Sequence, residues 1–88
     1  MISEVSILTG IPVDELLGRS RVAETSTARQ LYWKLLREKK HYGFQVIAAL
    51  CDRNHSTVVN GIKHANELLE TGDPVANYFW DKIKEIRA

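Results

Sequence analysis

Apolar residues recur along the chain at intervals of three and four, separated by polar interruptions, a helical rather than a strand-like spacing. Ser3 to Thr9 predicts a short helix stopped by Gly10, a residue type favoured just past a helix end. Pro12 to about Leu17 predicts a second, with proline in the first turn and Gly18 closing it. Residues 19–26, rich in Ser, Thr and Arg and without apolar period, read as a loop. Thr27-Ala28-Arg29-Gln30 has capping-box spacing and predicts the start of a third helix reaching about Lys40. On that helix Ala28, Leu31, Tyr32, Leu35 and Leu36 share a core-facing arc, and Gln30, Trp33, Lys34 and Arg37 lie opposite, with Arg29 and Lys40 at the border. Trp33 on this cationic face is either a contact to a polyanion backbone or a packing residue, and packing is the commoner fate of tryptophan.

Residues 44–50, FQVIAAL, are apolar on nearly every side, which predicts a short element buried among others. Cys51, Asp52 and Arg53 leave room only for a turn. Asn54 is a favoured N-cap, and a long helix follows from His55 to about Glu70. Val58, Ile62, Ala65 and Leu69 form its buried stripe, with Ser56, Asn60, Lys63 and Glu67 opposite. Gly61 inside this helix costs about 1 kcal/mol against alanine, so the pattern predicts close packing against another helix there. Asp73-Pro74 starts a last helix to about Ile86, with Val75, Phe79, Ile83 and Ile86 on its apolar side. With no period-two stretch and no repeat, the expected fold is all-α, about six helices in one domain over residues 1–88.

A short apolar helix, a three-residue turn and a capped, polar-faced helix make a helix-turn-helix arrangement. The second helix of such a unit directs its N-terminal residues at base edges in the major groove. Here that end carries Arg53, Asn54, His55, Ser56 and Thr57, all with hydrogen-bonding groups and none acidic.

Charge sharpens this picture. The net charge of the 88 residues is only +1, but residues 19–64 carry +6 between flanks of −3 and −2. Segregated positive charge fits a polyanionic partner. Composition excludes other classes. The 44% apolar content suits a soluble globular domain, and a single cysteine precludes an intrachain disulfide, so a reducing, cytoplasmic setting is expected. No apolar run approaches a membrane span, and MISEVSILTG has no basic, apolar leader character. Phosphate-binding glycine motifs are absent, so no cofactor is expected. Cys51 and His55 are four apart but lack further ligands at a familiar spacing, so no metal site is expected and Cys51 reads as a buried structural residue.

Asp52-Arg53-Asn54-His55-Ser56-Thr57-Val58-Val59 resembles the G-x-R-D-H-[ST]-T-V signature of the C-terminal DNA-binding domain (domain IV) of DnaA-type chromosomal replication initiators. Two further blocks agree in order. Ala28-Arg29-Gln30 with Leu35-Leu36-Arg37-Glu38 is similar to the family's A-R-Q…Y-L-x-R-E helix. Gly10-Ile11-Pro12-Val13-Asp14-Glu15-Leu16-Leu17, followed by Arg19-Ser20-Arg21, matches more loosely. The resemblance covers nearly the whole chain. It implies a six-helix, Trp-repressor-like domain that binds duplex DNA. It places Asn54, His55, Ser56 and Thr57 in the major groove, Arg21 with Arg19 in the minor groove, and Arg29 in support of the backbone. With Arg53, Asn60 and Lys63 from the basic, polar face, these ten residues are the expected DNA site. The chain departs from the signature at Asn54, where the family has aspartate. A carboxylate prefers the cytosine amine, whereas an amide suits adenine. Ile47 and Cys51 replace the family's glycine pair around the turn, and Leu50 replaces its aromatic residue.

Sequence-selective binding of double-stranded DNA, in replication initiation or regulation and at the nucleoid, is therefore the leading expectation. The ATPase module of such initiators is absent from these residues, so a parent chain or protein partner would supply it. The alternative is a protein-interaction module that kept the fold and lost the DNA site, presenting Trp33, Tyr78 and Trp80. An enzyme is the least supported class, since a Cys–His nucleophile also needs an orienting group and an oxyanion site.

Overall fold

The structure is a computed structural model and describes residues 1–87. Among these it contains six helices and no strand: α1 (Ile2–Thr9), α2 (Val13–Leu16), α3 (Ala23–Lys39), α4 (Phe44–Leu50), α5 (His55–Glu70) and α6 (Pro74–Ile83). The long α3 is the axis of the fold. It packs on α5 and α6, and it also touches α1, α2 and α4. The expected core of α3 is present in full: Ala28, Leu31, Tyr32, Leu35 and Leu36 are all buried, together with Val5, Leu16, Ile47, Val58, Phe79 and Ile83 from the other helices.

Local chemistry sets several boundaries. Gly10 takes φ 76° after α1 and donates its N–H to Ser6 O, the left-handed ending that glycine adopts without a Cβ clash. Asn54 caps α5 through Thr57 N, and Asp73 caps α6 through Ala76 N. At the end of α4 the left-handed residue is Asp52, with φ 52°, and Arg53 N–H closes the turn on Ala48 O at 2.9 Å. Aspartate is one of the few side chains that accept this conformation. Cys51 stays at φ −102°, so glycine is not needed there.

Three expectations are corrected. The third helix begins at Ala23, one turn before the Thr27 capping box, and no side chain caps it. Thr25 and Thr27 are buried, so tertiary packing draws the supposed loop into the helix and overrides the local capping preference. Helix α4 is not enclosed on all sides. Ile47 and Ala48 are buried, while Val46 and Leu50 stand exposed at 47% and 60%. The last helix ends at Ile83, and Ile86 reaches the core through a following turn.

Gly61 is explained by Trp33. A Cβ at position 61 would lie 2.5 Å and 2.7 Å from two carbons of the Trp33 ring and 3.3 Å from Gln30 Cγ. The ring is buried and cannot swing away, so α5 rests its bare backbone against the six-membered ring of the indole. Gly61→Ala should therefore destabilise the protein by about 1–2 kcal/mol, because overpacking outweighs the gain in helix propensity. A rise in the urea midpoint would contradict this packing.

Burial pushes the Tyr32 phenol up to about 12 and the Cys51 thiol above its ordinary value, so the fold favours both protonated forms. This stability is intact below the ordinary thiol and phenol values of 9.0 and 10.0 and is lost as pH rises towards 12. Urea midpoints measured from pH 8 upwards should fall in alkali, and Tyr32→Phe should remove the part of the loss above pH 10.

Candidate nucleic-acid interface

The segment between α2 and α3 buries no apolar side chain of its own, and Arg29 organises it instead. The buried Arg29 guanidinium donates from Nη2 to Glu15 O at 2.7 Å, from Nε to Leu16 O at 3.2 Å and from Nη1 to Ser20 O at 3.0 Å. One cation thus joins the end of α2 to the middle of the loop. Gly18 allows the sharp descent, since a Cβ there would sit 2.8 Å from Asp14 O.

Two further arginines tie this loop to the helix-turn-helix turn in opposite directions. Arg19 Nη2 donates to Asp52 O at 3.0 Å, with the Asp52 carboxylate 3.5 Å away. Arg53 Nη2 donates back to Gly18 O, while its Nη1 holds Cys51 O at 3.2 Å. Burial first, and neighbouring arginines next, hold the Arg29 and Arg53 guanidinium groups below the ordinary arginine value. The positive charges are crowded because loop and turn carbonyls draw them together.

These elements enclose an open groove of about 760 Å³ between the loop, α3 and the start of α5. Arg19, Arg21, Arg29, Arg53, Asn54, Thr57 and Asn60 line it. His55, Ser56 and Lys63 are exposed on α5 outside that lining. His55 stands edge-on to Phe44, 6.0 Å between ring centroids, and Arg37 covers the same Phe44 ring at 4.1 Å. Arg21 is exposed and makes no hydrogen bond among the described residues, whereas Arg29 commits all three of its nitrogens to carbonyls.

Sequence reasoning did not place Ser20, Ser26 or Gln30 at the groove, yet they line it together with Trp33. Trp33 is 3% exposed, which removes it from the aromatic surface of the interaction alternative, while Tyr78 remains 59% exposed and Trp80 half-buried. Cys51 is buried, and no cluster of three or more metal-ligating side chains occurs among the described residues. No helix of the described residues is long and apolar enough to cross a membrane.

The role of Arg29 is testable. Arg29→Lys should cost about 2–4 kcal/mol of stability, because one ammonium cannot reach three diverging carbonyls and some are left unpaired. Chemical denaturation measures this, and unchanged stability would rule out the joint described above.

The model of the bacterial DnaA protein helix-turn-helix family matches residues 1–64. The chromosomal replication initiator protein DnaA of Mycoplasma pneumoniae is 37% identical over 73 residues, covering 83% of this chain and 17% of the relative. The chromosomal replication initiator protein DnaA 2 of Protochlamydia amoebophila is 34% identical over 73 residues, covering 83% and 16%. The DnaA of Pseudothermotoga lettingae is 25% identical over 83 residues, covering 94% and 19%. The chain thus spans about one sixth of the length of the first of these relatives. No solved structure matches. With its α4–turn–α5 unit and a family match over most of its length, the chain belongs to the bacterial DnaA helix-turn-helix family.

Proposed function

We propose that this chain binds double-stranded DNA with sequence selectivity and serves chromosomal replication initiation or its regulation at the nucleoid. The observation that carries the reading is the groove in which the arginine loop adjoins the polar N-terminus of α5. A helix entering the major groove by its first turn would bring Asn54, His55, Ser56 and Thr57 to base edges, and the uncommitted Arg21 to the neighbouring backbone or minor groove. Arg29 then acts as a positioning residue, since each of its three nitrogens is bonded to a backbone carbonyl within the fold. Asn60 and Lys63 continue the polar face of α5 towards phosphates. The relatives are named as replication initiators and are about six times longer than the part matched here. An ATPase module therefore belongs to a parent chain or a partner in this reading.

Exposed Val46 and Leu50 on α4 favour a second reading, a protein-interaction module that retains the fold. Salt separates the two. DNA binding that neutralises about 4–6 phosphates should give a log–log slope of affinity against salt near −4 to −5. Arg21→Ala should weaken binding most on A·T-rich flanks, where a narrow minor groove attracts arginine. A flat titration would favour the second reading, and an equal loss on all flanks would make Arg21 a phosphate contact alone.

A further inference from the structure

We propose that Asn54 reads DNA as a hydrogen-bond donor only, so that this chain rejects cytosine at the base pair facing its amide. The inference rests on the DNA-binding reading above and adds a base preference to it. Asn54 Oδ1 accepts three hydrogen bonds: from Thr57 N at 3.1 Å, from Thr57 Oγ1 at 2.8 Å and from Ser56 Oγ at 3.1 Å. The identity of this atom is fixed by chemistry, since the Thr57 backbone N–H can donate only to an oxygen and never to the amide nitrogen. A carbonyl oxygen has two lone pairs, so three donors saturate it. The Nδ2 group makes no hydrogen bond among the described residues, and Asn54 is exposed at the rim of the groove.

The usual asparagine–adenine pair needs both amide atoms, the oxygen accepting from N6 and the nitrogen donating to N7. Here the oxygen is withdrawn into the cap, so the adenine pairing expected from residue type alone is unavailable. What remains is an –NH₂ group. Guanine offers it N7 and O6, adenine N7 and thymine O4, whereas cytosine presents only its own amine. Cytosine would therefore meet donor with donor. Aspartate at the same position would cap equally well and turn an oxygen outwards, reversing the polarity of the one atom that faces the base.

The test is selection of bound sequences from a randomised duplex pool, run in parallel with the wild-type protein and Asn54→Asp at one salt concentration. At one base position the wild type should deplete cytosine by about 5- to 100-fold against the best base, and the variant should enrich it there. The variant should melt at or above the wild-type temperature, because a carboxylate at a helix N-terminus is favourable. The same preference in both proteins at every position, or wild-type enrichment of cytosine where the two differ, overturns the proposal and leaves DNA binding standing. A lower melting temperature overturns the cap on which it rests. Recovery of no duplex at all by the wild type overturns the DNA-binding reading itself.

Discussion

The recognition end of this domain depends on a buried cation bound to backbone carbonyls. The segment between α2 and α3 is short and polar, and it cannot hold its shape by burying side chains. Arg29 solves this by carrying a planar fork of donors from α3 to Glu15, Leu16 and Ser20. A lysine would supply equal charge without that divergence. Once the loop is fixed, the reciprocal bonds of Arg19 to Asp52 and of Arg53 to Gly18 fix the turn against it. The distance between the arginine loop and the first turn of α5 is therefore set within the protein.

This arrangement crowds positive charge. Burial and mutual repulsion both act against the charged forms of Arg29 and Arg53. The carbonyls offset part of that cost with dipoles, and among the described residues Asp52 and Glu15 supply carboxylates nearby. The groove therefore keeps a positive field that a polyanion can relieve.

Much of the fold was legible because its signals are local. The α5 boundaries, the Asn54 and Asp73 caps and the apolar arc of α3 follow from periodicity and capping chemistry that act within a few residues. The misses share an opposite character. The early start of α3 depends on burial of Thr25 and Thr27, which no local rule contains. The exposure of Val46 and Leu50 depends on which neighbours α4 lacks. Residue type and charge drew attention to the arginines. Their division into Arg29, with each of its three nitrogens bonded to a carbonyl, and Arg21, with no bond among the described residues, depends on carbonyl positions supplied by a distant part of the chain. The bonds of Asn54 show the same dependence: its oxygen accepts from Thr57 and Ser56, and a side chain's chemistry is what remains after its internal bonds are made.

The contact of Gly61 with Trp33 also constrains how such a sequence can change. The two positions share one volume, so neither can drift independently. A side chain gained at 61 costs stability unless the residue at 33 has first become narrower, and an indole at 33 is best accommodated where position 61 is glycine. The order of substitutions is thus restricted as well as their identity. Because the shared volume lies beside the groove, a change in this pair would move α5 relative to the arginine loop. The shape of the groove could then diverge without any replacement among the residues that line its arginine side.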